Sequence, residues 1–234
     1  MRMLSLFLAA AALGVFPATP ARAVTIGLFD WAVNVDGLFA HPPGGDPIPA
    51  GVNTAGFNTT TGLGSISVAV SGAGAHFVGL FVDHDIDKAI NTFFNEFGSA
   101  TGAPVAGESW EIDEPGFVFG DIFTNLQGNS LDNTNGVPAG SEDDVSMALG
   151  WDYILAAGET SAISFLVSET MPASGFYLTQ TDPDSAASIY FSSTLTIRGT
   201  GGAVIPEPGT LALYGMGLGI AGLWGANRRR MVRL

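Results

Sequence analysis

From residue 24 to about residue 202, short apolar runs alternate with clusters of Gly, Pro, Asn and Asp. This pattern is compatible with few fold classes. Residues 64–71 alternate strictly, which puts Ile66, Val68 and Val70 on one face of a strand. Residues 77–82 are continuously apolar, as in a strand that is buried on both faces. The pattern therefore predicts an all-β fold, and specifically an antiparallel β-sandwich.

Further strands are expected at 109–113, 117–123, 145–156, 161–168, 175–180 and 188–198. Pro115-Gly116 is typical of a hairpin turn between the first two of these strands, and residues 157–160 are typical of a second hairpin loop. Trp110, Trp151 and Phe191 lie in these strands. Aromatic residues in such positions are core residues more often than they are a sugar-binding face, although both interpretations stay open.

One segment departs from the strand pattern. Ile90, Phe93, Phe94 and Phe97 have the spacing of a single helix face, and Gly98 is positioned to end a helix. We therefore predict one short helix over residues 87–97.

The charge of the chain is unevenly distributed. Between Val24 and Ile205 there are only two basic residues, Lys88 and Arg198, against 21 acidic ones, which gives a formal charge of −19. Such a surface repels phosphate backbones and argues against nucleic acid as a partner. Cysteine is absent, so disulfides, thiolate metal sites and a cysteine nucleophile are excluded.

The N-terminus has the layout of a secretory signal peptide. Arg2 precedes an uncharged apolar run over residues 3–16, and Ala21-Arg22-Ala23 has the small-x-small pattern of a signal peptidase site. We predict a signal helix within residues 1–23 that is removed after Ala23. The alternative is an uncleaved N-terminal membrane anchor.

The C-terminus has three parts in a fixed order. Pro206-Glu207-Pro208 is followed by an uncharged apolar stretch, residues 211–226, and then by Arg228, Arg229 and Arg230. The apolar stretch is at the short end of what spans a bilayer, and the arginine cluster should remain cytoplasmic as a stop-transfer signal. A C-terminal transmembrane helix is therefore expected at 211–226.

These three parts resemble the PEP-CTERM sorting signal, a family found in Gram-negative bacteria that make exopolysaccharide. The resemblance implies recognition by an exosortase, a membrane-embedded transpeptidase thought to cleave near the Pro-Glu-Pro motif. It also implies an inner-membrane intermediate that is then moved to the cell surface or the extracellular matrix. The expected layout is a signal peptide (1–23), an acidic β-sandwich ectodomain (24–202) and a sorting signal (203–234). Sequence segments such as residues 94–98 and 109–116 also resemble ectodomains that precede such tails. This resemblance implies no known activity.

The best local site candidate is Asp83-His84-Asp85-Ile86-Asp87. Alternating carboxylates suit a hard cation such as Ca²⁺, although Lys88 and Phe94 stand where an EF-hand loop needs Gly and Glu. A calcium site at Asp83, Asp85 and Asp87 competes with a simpler interpretation, in which Asp85 and Asp87 cap the predicted helix or the run is a solvated acidic loop. The second acidic run, residues 142–144, follows the turn residues 132–136 and also offers oxygen ligands to a cation, but a solvated loop is the favoured interpretation.

The sequence carries no catalytic signature, since it has neither a Gly-x-Ser-x-Gly elbow nor a pair of histidines at metalloprotease spacing. We therefore expect a non-enzymatic structural or binding role, with signal peptidase, an exosortase-like enzyme, the inner membrane and exopolysaccharide as partners. An extracellular hydrolase that acts on polysaccharide through two carboxylates is the alternative. A permanently tethered periplasmic domain is a third possibility, which differs in the fate of the tail.

Overall fold

The computed structural model describes residues 23–89 and 92–199, which form mainly β-strands in two antiparallel sheets. The five-stranded sheet has the order β2-β1-β5-β8-β7, where β1 is Ile26–Val35, β2 is Leu38–Ala40, β5 is Gly74–Ile86, β7 is Glu108–Asp113 and β8 is Ser146–Leu155. The six-stranded sheet has the order β3-β4-β9-β11-β10-β6. Its strands are β3 (Val52–Phe57), β4 (Gly64–Ser71), β6 (Phe97–Thr101), β9 (Glu159–Ser168), β10 (Tyr177–Asp182) and β11 (Ala187–Gly199). One short helix, α1 (Ile122–Gln127), and a 3₁₀ turn at Pro42–Gly44 complete the described elements.

The two sheets pack face to face around one shared core. Ile66, Val68 and Val70 of β4 are buried, as the alternation predicts, while the residues between them are exposed. They belong to the same cluster as Leu80 and Leu149 from the opposite sheet. The prediction of a mainly antiparallel β fold with one short helix is thus confirmed in the described residues, although the helix lies elsewhere.

Strand β5 is buried on both faces, as its continuous apolar run predicts. Leu80 and Val82 are in the core between the sheets, whereas Phe77 and Phe81 point to the outer face of the five-stranded sheet. There they contact α1 through Ile122 and other apolar residues of a second, smaller cluster.

The helix predicted over residues 87–97 is wrong in the parts of this range that the structure describes, 87–89 and 92–97. Strand β5 continues to Ile86, Asp87 has a left-handed backbone with φ of 55°, and Phe97 begins β6. Because Phe97 pairs with Thr181 of β10, the backbone hydrogen bonds of a sheet edge replace those of a helix. Strand pairing in the tertiary structure therefore overrides the helical spacing of the local sequence.

The helix is found instead where a strand was expected, at the end of the 117–123 segment. Ile122 and Leu126 are four residues apart and fully buried, so that α1 covers the outer face of the five-stranded sheet. The Nδ2 of Asn34 on β1 donates to the Leu126 carbonyl oxygen over 2.9 Å and so holds the C-terminal end of α1 to the sheet.

Neither predicted hairpin is present. Strands β8 and β9, on either side of residues 157–158, belong to different sheets, so this turn joins the sheets instead of two paired strands. At Pro115-Gly116 the chain does turn, with the Gly116 amide donating to the Phe119 carbonyl oxygen over 2.8 Å, but it continues into a loop and then into α1.

The two ends of the described chain lie at opposite ends of the sandwich. Ile26 pairs with Ile86 at the C-terminal end of β5. At the other end of β5, Gly74 pairs with Leu155, the last residue of β8, and β9 begins shortly afterwards at Glu159, which pairs with Gly199. Strand β5 has 13 residues and so spans roughly 40 Å at about 3.4 Å per residue.

Candidate functional site

The outer face of the five-stranded sheet carries a row of polar residues near the end where the described chain begins. Asp30 of β1 is opposite Asp83 of β5, Asp83 is opposite Ser146 of β8, and Ser146 is opposite Asp113 of β7. On the same face, the next residues of β1, β5 and β8 are apolar and pack against α1: they are Ala32, Phe81 and Ala148. Polar residues therefore extend across four strands directly beside an apolar cluster.

Asp83 is the most deeply buried carboxyl group of this row. Its side chain is almost completely removed from solvent, and its Oδ2 atom has no hydrogen-bond partner. Burial raises the pKa of Asp83 well above its usual range, with further contributions from the carboxylates of Asp144, Asp85 and Asp30, while the Ser146 hydroxyl opposes the increase. Burial therefore stabilises the protonated form relative to that of an exposed aspartic acid.

Asp144 is half-buried, immediately before β8. Burial, and after it the carboxylates of Asp85, Asp143 and Glu114, raise its pKa to about 7 against the opposing effect of Lys88. The pKa of Glu114 is also raised, by burial first and then by Asp143 and Asp113. These groups form an acidic region in which like charges oppose each other and in which Lys88 supplies a positive charge.

A groove of about 340 Å³ opens beside these carboxyl groups. We call it the aromatic groove, and its walls are Phe29, Phe93, Phe94, Glu114, Pro115, Phe117, Val118, Phe119 and Asp144. Phe29, Phe94, Phe117 and Phe119 are each more than half exposed. An exposed apolar patch beside buried acids is a typical binding surface.

Lys88 lies against the aromatic groove. Its ammonium nitrogen is 5.2 Å from the ring centre of Phe29 and 4.9 Å from that of Phe93, within cation–π distance of both. The same atom is 2.8 Å from Asp85 Oδ2. An ammonium group at this position is therefore stabilised by two aromatic faces and one carboxylate.

The loop that forms one wall of the aromatic groove is held by glycine and by Asp113. Gly120 has φ of 75°, and a Cβ atom there would lie 2.2 Å from the Glu114 carbonyl oxygen, so that only glycine fits. Asp113 Oδ2 accepts a hydrogen bond of 2.9 Å from the Asp121 amide and anchors the start of α1. Edge-to-face contacts from Phe29 to Phe117, and the contact from Phe117 to Phe123, join the groove to the packing of the helix.

The three carboxylates predicted as a calcium site have different surroundings. Asp83 is buried in the sheet, Asp85 forms its ion pair with Lys88, and Asp87 accepts a hydrogen bond of 3.3 Å from the Thr25 hydroxyl. They do not form a group with their oxygens within 4.8 Å of one another. The alternative prediction, that Asp85 and Asp87 cap a helix, fails because no helix begins there.

Within the described residues, a different trio of carboxylates does converge. Oxygens of Glu111, Asp121 and Asp132 lie within 4.8 Å of one another, with Glu111 buried and the other two exposed. Oxygen ligands of this kind suit a hard cation. The Glu111 carboxylate, however, already accepts hydrogen bonds from Asn125 Nδ2 and from the Asp132 amide, so that it fastens α1 and the following loop to β7. Burial, and after it the carboxylates of Asp132 and Asp121, raise the pKa of Glu111 to about 7 against these hydrogen bonds.

A second buried acid lies between the sheets. The Oε1 atom of Glu96 accepts a hydrogen bond of 2.8 Å from the Ile86 amide, and its Oε2 atom accepts one from the side-chain amide of Gln180. The Gln180 amide also donates to the His84 carbonyl oxygen over 2.6 Å, which joins β10 to β5. Burial raises the pKa of Glu96 to about 8 in spite of these hydrogen bonds.

The sorting motif Pro206-Glu207-Pro208, the arginine cluster at 228–230, the apolar stretch 211–226 and Ala21 lie outside the described residues, and Ala23 is the first residue described. Within the described ranges, none of the helices has the length and apolar character needed to cross a lipid bilayer. Trp151 and Phe191 are buried in the core and Trp110 packs against it, as the core interpretation predicts.

Sequence patterns alone did not identify the aromatic groove. Its members come from β1, from the segment after β5, from the loop before α1 and from the segment before β8. Part of the loop before α1 was predicted to be a strand. One usable signal was present, because Phe117-Val118-Phe119 is bounded by Gly116 and Gly120, both of which have positive φ. Glycines on both sides of a short apolar run favour an exposed loop over a strand.

Comparison with known protein families, with curated proteins and with solved structures gave no match.

Proposed function

We propose that this chain is an exported surface protein whose β-sandwich is a non-enzymatic binding module. In this proposal, signal peptidase removes residues 1–23, and the 211–226 helix holds the protein in the inner membrane. An exosortase-like enzyme then processes the tail near Pro206-Glu207-Pro208 and passes the ectodomain (24–202) to the cell surface or to an exopolysaccharide-rich matrix. The resemblance of the tail to the PEP-CTERM signal supports the trafficking part.

The observation that carries the binding part is the position of the aromatic groove relative to the end of the described chain. Gly199 is at the end of the sandwich where β8 turns into β9, whereas Asp144 and Glu114 are at the end where β8 begins. A tether after Gly199 would hold the aromatic groove roughly 40 Å away from the attachment point, by the length of β5. A surface that is exposed, apolar and acidic would then face outward.

Intact mass spectrometry of the protein from its native host tests the trafficking proposal. The expected result is a released or surface form that begins at Val24 and ends near Pro206. A mature protein that keeps Arg228 to Leu234 and stays in the inner membrane would instead make the chain a tethered periplasmic domain.

The chain offers a matched control for the sorting motif, because Pro47-Ile48-Pro49 is a second Pro-x-Pro segment within the ectodomain. Replacing Pro206 and Pro208 with alanine should block processing of the tail, since a stiff, extended segment is lost. Replacing Pro47 and Pro49 with alanine should leave processing unchanged. Equal effects of the two double variants would argue against recognition of the motif.

One observation favours the alternative of a polysaccharide hydrolase. Glu114 and Asp144 line the same groove and both have a raised pKa, which is the arrangement a general acid needs. Reducing-end assays on exopolysaccharide test this alternative. Turnover that is lost in both Glu114→Gln and Asp144→Asn would establish an enzyme, whereas binding without turnover supports the binding module.

A further inference from the structure

The ectodomain has an unusual shortage of positive charge, and one of its two cations is at the aromatic groove. Lys88 and Arg198 are the basic residues among the described residues, and Arg198 is near the opposite end of the sandwich, beside Ser71 and Thr160. The Lys88 ammonium contacts Phe29, Phe93 and Asp85. The position between Phe29, Phe93 and Asp85 therefore accommodates an ammonium group.

We propose that the aromatic groove binds a lysine side chain presented by a partner polypeptide, and that Lys88 occupies the cation position until that ligand displaces it. This inference rests on the proposed role of the ectodomain as a binding module, and it names the ligand class.

Charge complementarity supports a cationic ligand. Asp144 is a wall of the groove, and Asp85 and the buried Asp83 lie close enough to influence its carboxylate or each other. The Lys88 ammonium is paired with Asp85 and also lowers the pKa of Asp144, so the cation position lies within electrostatic reach of both carboxyl groups. A second ammonium group would meet attraction from several carboxylates at once.

The shape and chemistry of the groove favour lysine over a sugar. Its walls are seven apolar side chains, from phenylalanine, valine and proline residues, and the two carboxyl groups of Glu114 and Asp144. The aliphatic stem of lysine can lie along such walls while its charged head reaches a carboxylate. A sugar would need many more hydrogen-bonding partners than two carboxyl groups provide.

Competition with Lys88 predicts how the affinity should respond to substitution. A ligand that enters the wild-type groove must displace one ammonium group from two aromatic contacts and from one ion pair. The variant Lys88→Met keeps an unbranched apolar side chain but removes the charge, so the ligand should bind about tenfold more tightly. The variant Asp144→Asn removes a groove carboxylate and should weaken binding about threefold to tenfold.

The experiment uses the full-length chain in lipid nanodiscs and the peptide acetyl-Ala-Lys-Ala-amide, with Kd measured by peptide-observed NMR titration. The same peptide with Nε-acetylated lysine keeps the stem and loses the charge. Arg198→Met is the matched control for Lys88→Met, because it also removes one positive charge but at the far end of the sandwich. Glu169→Gln, at an exposed acid that directly follows β9 of the other sheet, is the control for Asp144→Asn.

The expected result is tighter binding only in Lys88→Met, weaker binding only in Asp144→Asn, and loss of binding on acetylation of the peptide. Equal affinity for both peptides would overturn the proposal, because the lysine ammonium group would then not be recognised. Equal effects of Lys88→Met and Arg198→Met would also overturn it, because a general charge effect would then explain the data. This outcome is separate from that of the trafficking proposal. Mass spectrometry of the cell fractions reports export whether or not the peptide binds, and the peptide titration does not depend on processing of the tail.

Discussion

Replacing Glu96 with glutamine should remove a large part of the pH dependence of folding stability. Glu96 is completely buried between the sheets, and burial raises its pKa from 4.5 to about 8. Each pKa unit corresponds to about 1.4 kcal/mol, so ionisation of this single group costs the folded state at most about 5 kcal/mol. This is a large share of the 5–15 kcal/mol that is typical of domain stability.

The sign follows from proton binding. The folded state holds the Glu96 proton up to about pH 8, whereas the unfolded chain releases it near pH 4.5. The contribution is therefore fully present below pH 4.5 and is lost as the pH rises through about 8. In this window the free energy of unfolding of the wild-type protein should fall by about 1.4 kcal/mol per pH unit because of Glu96 alone.

The variant Glu96→Gln should lower this slope by about 1.4 kcal/mol per pH unit. The new amide must also share a partner with Gln180, and any cost of that contact changes the offset between the two proteins but not the slope. Urea unfolding followed by tryptophan fluorescence, at four pH values from 5 to 8 and at constant ionic strength, measures both quantities. The exposed Glu169→Gln variant is the control and should keep the wild-type slope. Equal slopes in wild-type protein and Glu96→Gln would refute the reasoning, because Glu96 would then titrate alike in both states.

Two further predictions concern the core and the acid limb of the stability curve. Burial lowers the pKa of His84 from 6.5 to about 4, so stability should fall by up to about 3 kcal/mol as the pH drops from 6.5 to 4, and His84→Leu should flatten this limb in urea titrations. A wild-type acid limb in His84→Leu would assign the loss to other groups. Phe165→Ala should cost about 3–5 kcal/mol, because the ring is 1% exposed in the shared core, whereas the neighbouring Leu166→Ala, at 44% exposure, should cost less than about 1 kcal/mol in thermal or urea unfolding. Similar losses for the two neighbours would contradict the assigned faces of β9.

Strand predictions succeeded where the pattern is local. The side-chain period of a strand is two, so the alternation of Ile66, Val68 and Val70 indicates both the strand and its buried face without knowledge of any partner. The continuous run inside β5 was equally informative, because it requires apolar surroundings on both faces.

The predicted helix failed for a reason that a single segment does not contain. The spacing of Phe93, Phe94 and Phe97 fits a helix, but Phe97 pairs with Thr181, a residue 84 positions away, and Glu96 bonds to Ile86 and Gln180. Those contacts form only when the two sheets are assembled. In the same way, Ile122 is helical because α1 packs on the apolar side chains of Phe77 and Phe81 on the outer face of the five-stranded sheet.

The sequence by itself determined the class of fold, the shortage of positive charge and the absence of thiol chemistry, because these depend on composition or on residues adjacent in the chain. The export and sorting signals are predictions of the same local kind. Only the tertiary structure decided which acids have a raised pKa and which side chains surround the Lys88 ammonium group. The pKa of Asp83 or Glu96 depends on burial, and the aromatic groove depends on four segments brought together by strand register. Burial and register are properties of the assembled sheets, so a local pattern does not carry them.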